Sequence, residues 1–148
     1  MDYEAVLAGL QAAIPYNNHL GLEYLEVADG RGIVRLTDAD HLTNHVGSQH
    51  AGALFSAGEA ASGGAFVGAF ATHMAGITPL ARSAEISYLK LAKGEITATG
   101  TLSEQAESLL ERLESDGRVE FPIDVDLTDE AGETVARMKV DWHVRKNG

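Results

Sequence analysis

The stretch Asn44–Met74, NHVGSQHAGALFSAGEAASGGAFVGAFATHM, decides how the rest of the chain must fold. From Ala51 to Ala71, thirteen of 21 residues are Ala or Gly and a single one, Glu59, is charged. Glycine weakens a helix, so five of them in one helix require a packing reason. The simplest reason is close approach of other backbone on several sides. A helix that is small and apolar all round is usually buried. A carboxylate in the middle of such a helix is costly unless it is paired or used. Glu59 is therefore the first candidate functional residue.

Working outward, the N-terminal side starts with a helical pattern over Asp2 to Ile14, with Val6, Leu7, Leu10, Ala13 and Ile14 on one face. Asp2 can cap this helix, and Pro15 is expected to end it. Leu22 to Ala28 and Ile33 to Thr37 are strand-like runs, with Asp29-Gly30 as a hairpin turn between them. Asp38 to Gly47 is polar and is expected to be a loop. Ala75 to Pro79 is expected to close the Ala/Gly helix.

The C-terminal side reads as sheet. Ala84, Ile86 and Tyr88 alternate with polar residues, as do Ile96, Ala98, Gly100 and Leu102. Ser103 is expected to cap a short amphipathic helix over Glu104 to Ser115, an addition to the sheet with Leu109, Leu110 and Leu113 turned inward. Val119, Phe121, Ile123, Val125 and Leu127 alternate, and so do Ala136, Met138, Val140, Trp142 and Val144. Pro122 on the polar face of its strand suggests an edge or a bulge. Clean alternation marks antiparallel strands with one covered face. One long helix and about six such strands make a single α+β domain over residues 1–148, its sheet wrapped around the helix.

Composition narrows the function classes. The chain has no cysteine, so a disulfide framework, a thiol nucleophile and a thiolate metal site are excluded. The net charge of -11 argues against general nucleic-acid binding. The longest uncharged run, between Glu59 and Arg82, contains His73, Pro79 and several Gly and is a poor membrane span. No basic-plus-apolar leader precedes the first helix, which leads to the expectation of a cytoplasmic protein. The basic residues are unevenly placed. Only Arg31 and Arg35 precede position 82, and nine Lys and Arg follow. An acidic chain of this kind can still present a local basic patch to a phosphate-bearing ligand.

The residues around Glu59 also have a direct physical reading. The Ala51 and Gly52 amides open a helix, where N–H groups are unpaired and the dipole is positive. Such a helix end suits a developing oxyanion. Glu59 lies eight residues beyond Ala51, about 12 Å along a helix rising roughly 1.5 Å per residue. One chain cannot easily bring both to one carbonyl carbon. Two chains can, if two such helices pack antiparallel across a two-fold axis. His41, His45 and His50 lie in a loop without an acidic cluster, so no metal site is expected.

The motif Asn44, His50-Ala51-Gly52, Glu59, followed by EISYLKLAKG, resembles the hotdog-fold thioesterases of the phenylacetate-degradation type. The family pattern runs from an Asn over six residues to His-Gly-Gly, then nine residues from the His to an Asp or Glu. Here the steps are Asn44 to His50 and His50 to Glu59. Ala51 departs from it by standing in the place of the first Gly. The resemblance covers nearly the whole chain. It implies a hotdog fold, to which the short helix expected over Glu104 to Ser115 is an addition between the fourth and fifth strands. It also implies a homodimer, or a dimer of dimers, with composite sites at the interface.

The activity implied is hydrolysis of an acyl-CoA or similar thioester. Glu59 would be general base or nucleophile, the Ala51 and Gly52 amides the oxyanion donors, and Asn44 and His50 the positioning groups. Counting back along the third strand puts Ala81 where relatives carry a Ser or Thr, with Ser83 on the same face. Ser83, Lys90 and Lys93 are expected at the substrate, with Arg145 and Lys146 as further partners for the coenzyme A phosphates. No cofactor is implied beyond the coenzyme A of the substrate. Two alternatives stay open. The fourteen residues from His45 to Glu59 resemble the His-to-Glu step of hydroxyacyl-thioester dehydratases, although their Pro-Gly-rich connection is missing. The superfamily also includes non-catalytic acyl-CoA binders, a reading that Ala51 feeds.

Overall fold

Asp2 accepts the Ala5 amide and starts α1, Tyr3–Ala13. α1 ends before Pro15 as expected, but the chain returns to helix there. The fixed φ of Pro15 suits a first helical turn, and it opens a short second helix, α2, Pro15–Leu20, closed by Gly21 in the left-handed region. The chain then enters β1, Glu23–Ala28, turns at Asp29-Gly30 with Gly30 at φ 71, and returns as β2, Arg31–Leu36. The long helix α3, Ala51–Phe70, follows and runs into a 3-10 stretch, Ala71–Gly76. The remaining elements are β3, Ile77–Tyr88; β4, Ile96–Leu102; α4, Ala106–Asp116; β5, Arg118–Thr128; and β6, Thr134–Lys146. These elements come from a computed structural model, which describes residues 1–148.

All six strands form one antiparallel sheet in the order β1-β2-β4-β5-β6-β3. The sheet curls around α3, and its inward residues join Leu54, Ala57, Ala61, Ala65, Phe66 and Phe70 in one core. Phe66 stacks on Trp142 at 5.1 Å and on Phe70 at 4.9 Å, and Phe121 lies against both phenyl rings of the helix. This is the hotdog architecture, with α4 as the extra helix between the fourth and fifth strands.

The glycines show why the helix is so small. A methyl on Gly68 would lie 1.8 Å from the Ala28 carbonyl oxygen, and one on Gly64 would lie 3.2 Å from the Gly32 Cα. From the sheet side, a methyl on Gly32 or Gly100 would sit 2.4 Å or 2.7 Å from the Ala61 carbonyl oxygen. Helix backbone therefore lies directly on strand backbone along β1, β2 and β4. Gly63 is the opposite case, with open space where its Cβ would be.

Three local expectations are corrected. β3 begins at Ile77, before the Pro79 expected to lie in a closing turn. β3 is an edge strand, which tolerates Pro, and its first half, Ile77–Arg82, shows no alternation of apolar and polar residues. A bulge between Ala81 and Ser83 then reverses the parity of the strand. α4 starts at Ala106, with Gln105 and not Ser103 at its N-cap. Pro122 lies in an interior strand. β4 ends at Leu102 opposite Ile123, however, so Pro122 has only β6 beside it and is locally at an edge.

The two kinds of helical glycine should separate in a stability measurement. Gly68→Ala forces carbon onto a carbonyl oxygen and should cost about 3 kcal/mol. Gly63→Ala should be neutral or stabilise by up to about 1 kcal/mol, by lowering the backbone entropy of the unfolded chain. Urea midpoints of both variants test this, and equal losses would contradict the packing described.

Candidate active site

α3 leaves one face uncovered. Ala51, Phe55, Glu59, Gly63 and Val67 follow one another at intervals of four residues and are the exposed or half-exposed positions of that face. A four-residue interval keeps them in one stripe. Glu59 sits in the middle. Its carboxylate makes no hydrogen bond and no ion pair, although it is half-buried; only its main-chain oxygen is engaged, by the Ser62 hydroxyl at 2.7 Å. Burial pushes its pKa above the ordinary glutamate value. The nearby Tyr24 phenol, which donates to the Ala60 carbonyl, is held well above the ordinary tyrosine value. Its burial is the main cause, the Glu59 charge adds to it, and the bond from Asn17 opposes it.

At the start of the stripe, His50 caps α3. Its Nδ1 accepts the Gly52 amide at 2.8 Å, and its carbonyl accepts the Ala53 and Leu54 amides at 3.0 Å each. Of the first four helical amides, only that of Ala51 is left without a partner. A ring that accepts at Nδ1 carries its proton on Nε2 when neutral. His50 therefore presents an Nε2–H donor at the same helix end. Tyr88 closes this corner from β3 by donating to the Ala51 carbonyl at 3.1 Å.

Asn44 is engaged within its own loop. Its Oδ1 accepts the Val46 and Ser48 amides, and its Nδ2 donates to the Ser48 hydroxyl at 2.9 Å. Within the protomer its amide thus shapes the turn leading to His50. Gln49 is a residue that sequence reasoning missed. Buried, it donates to the Thr37 and Gly94 carbonyls, and its main-chain N–H donates to Ala92. It ties three loops to the start of α3, and its Oε1 is left buried without a partner. Nothing in its local sequence marks it.

The other expected residues lie elsewhere. The bulge in β3 turns Ser83 to the outer face, where it donates to Asp141 at 3.0 Å, so it does not share the face of Ala81 as expected. Lys90 pairs with Glu133 at 2.8 Å, while Lys93 is exposed and without an ion pair. His41, His45 and His50 form no group able to hold a metal ion. A groove of about 800 Å³ lies at the other end of α3, between Ala69, His73 and α4, and does not include Glu59.

The chain matches a family model over residues 3–144, the family described as a domain of unknown function, DUF4442. It belongs to that family. A Pseudomonas aeruginosa protein of unknown function, named a probable thioesterase, superposes with a TM-score of 0.87 at 28% identity, over 97% of this chain and 95% of that one. A Chlorobaculum tepidum protein of unknown function superposes at 0.85 with 13% identity, over 97% and 94% of the two chains. The E. coli PaaI protein of the phenylacetic acid degradation operon superposes at 0.70 with 21% identity, over 95% and 90%. No curated protein matches the sequence. The matches agree in fold along nearly the whole chain, and the Pseudomonas neighbour is the one of the three that carries the name of a probable thioesterase. No helix is long and apolar enough to cross a membrane.

The raised pKa of Glu59 has a thermodynamic consequence of definite sign. An acid that binds its proton more tightly when folded loses folded-state stability as pH rises from its unfolded pKa through its folded one. Wild type should therefore fall behind Glu59→Gln in melting temperature as pH is raised from about 4 to 8, a range that begins near the ordinary glutamate value. Paired thermal melts across that range check it. A constant difference would mean that Glu59 ionises normally.

Proposed function

We propose that the chain is an acyl-CoA thioesterase-like hydrolase with a Glu59-activated water at a site shared by two subunits. The observation that carries this reading is a half-buried carboxylate with no partner, in one stripe with the one free amide at the start of α3. A structural carboxylate at this depth would be expected to have a hydrogen-bond donor. Phe55 lies midway between Ala51 and Glu59. A two-fold axis near Phe55 would set Glu59 of one copy beside the Ala51 amide of the other, closing the 12 Å gap. The exposed edge and faces of β3 support pairing between copies, because a long open edge strand is otherwise a liability. Phe55 at 36% exposure, Leu80 at 60%, Tyr88 at 49%, Leu89 at 51% and Leu91 at 59% give such an interface apolar material.

In the reaction, water oxygen attacks the thioester carbonyl carbon while the Glu59 carboxylate accepts a water proton. The carbonyl oxygen becomes an oxyanion held by the Ala51 amide and the His50 Nε2–H. Collapse breaks the C–S bond, Glu59 returns the proton to the leaving sulfur, and an acid and a thiol are released. Asn44 holds the loop that delivers His50. The Gly52 amide, spent on the His50 ring, is the one observation favouring a non-catalytic acyl-ligand binder. A thioester panel with free-thiol detection separates the two, since a binder releases no thiol.

Glu59→Gln keeps shape but cannot accept a proton, so turnover should fall by at least about a hundredfold. Folding should survive, because a neutral amide is easier to bury than a carboxylate. A stable and fully active variant would remove the mechanism. The shared site also requires association, so sedimentation equilibrium should show a dimer or larger. A folded monomer at micromolar concentration would exclude the composite site.

A further inference from the structure

The outer face of β5 and β6 is paired by charge along most of its length. In register, Glu120 faces His143, Asp124 faces Lys139, and Asp126 faces Arg137. Arg118 faces Arg145 and breaks the pattern. Like charges directly opposite in an antiparallel pair are unfavourable. Neither guanidinium has an ion-pair partner, whereas seven of the eleven Lys and Arg do. The neighbour of Arg145 on its other side, in β3, is the uncharged Thr78.

These two arginines line a groove of about 950 Å³ with Arg82, Arg112 and His143. Three elements bring them together. Arg82 is the extra residue of the β3 bulge, Arg112 lies in the last turns of α4, and Arg118 begins β5 directly after Gly117 turns the chain at φ 76. Two carboxylates, Asp116 and Glu120, share the groove with four guanidinium groups. Glu120 is already engaged by Arg82 and His143. Arg112 is held by Glu104, so Arg118 and Arg145 are the two arginines of the groove without an ion pair, an exposed local cationic pair in a chain of net charge -11. Guanidinium forks match phosphate oxygens in bidentate geometry.

We propose that the groove between β5, β6, the β3 bulge and the end of α4 binds a phosphate monoester dianion, seated between Arg118 and Arg145. The site lies on the outer face of the sheet, apart from Lys90 and Lys93. The phosphate could belong to the coenzyme of a thioester substrate, which rests on the thioesterase reading, or to another phosphomonoester.

Calorimetric titration of the whole protein with inorganic phosphate, at ionic strength fixed with chloride, tests the site without any turnover. Saturable binding is expected, weakened at least about tenfold in Arg118→Ala/Arg145→Ala, as loss of charge-assisted bonds implies. Lys139→Ala, which removes a cation of the same sheet face that lies opposite Asp124 and outside the groove, should bind as wild type does. Without phosphate the double variant should melt no lower than wild type, because a like-charge pair has been removed. Kinetics with an acyl-CoA and the matching acyl-dephospho-CoA then identify the source. If the coenzyme 3′-phosphate is the ligand, the double variant raises KM about tenfold for the first substrate alone and keeps kcat. If neither KM changes while phosphate binding is lost, the ligand is another phosphomonoester. Heats reproduced by chloride alone, or phosphate binding retained by the double variant, would overturn the site.

Discussion

Direct contact between the backbone of α3 and the backbone of β1, β2 and β4 is the constraint on which the rest of the molecule depends. Gly64 and Gly68 on the helix meet Gly32 and Ala28 on the strands, and Gly100 meets Ala61. At this separation no side chain fits between helix and sheet, so the core must be built to either side of the contact line. Phe66, Phe70, Phe121 and Trp142 fill one side. A helix pressed so closely into a curled sheet has limited freedom to rotate about its axis. That fixes which residues face away from the sheet, and so fixes the stripe of Ala51, Phe55, Glu59, Gly63 and Val67.

The chemistry of Glu59 follows from this placement. The same burial that makes a carboxylate costly raises its pKa and makes it a stronger base. A donor close by would stabilise the ion and weaken it as a base. None is present within the protomer. The nearby Tyr24 phenol donates to the Ala60 carbonyl, and the Ser62 hydroxyl donates to the Glu59 carbonyl and receives the Trp142 indole N–H at 3.3 Å.

Much of this was legible in the sequence, and the parts that were not share a cause. Alternation in β5 and β6 could be read because those strands have one wet and one dry face. The first half of β3 could not, because Ile77–Arg82 does not alternate apolar with polar residues and holds Pro79. The face of Ser83 cannot be read from local composition, because the bulge that shifts its parity leaves no mark there. Glu59 stood out as the single charge in its helix. Its lack of a partner is a property of three-dimensional neighbours. The capture of the Gly52 amide by His50 is a side-chain choice that spacing cannot show, and so is the orphaned Gln49 oxygen.

The charge distribution completes the physical picture. A chain of net charge -11 repels an anionic ligand at long range. At physiological ionic strength, however, charges interact over roughly 8 Å, so a ligand near the surface responds to local groups rather than to the sum. Most of the sheet's outer face is neutralised strand against strand, and such a surface attracts nothing strongly. The Arg118–Arg145 pair is the place where strand register concentrates like charge. Its position follows from register alone. Given the β5–β6 pairing that puts Glu120 on His143 and Asp124 on Lys139, Arg118 can face no residue but Arg145. Moving either arginine by one residue would turn it into the core, so the repulsion cannot be relieved by a register shift without losing the dry face. A counter-ion from outside the chain would relieve it.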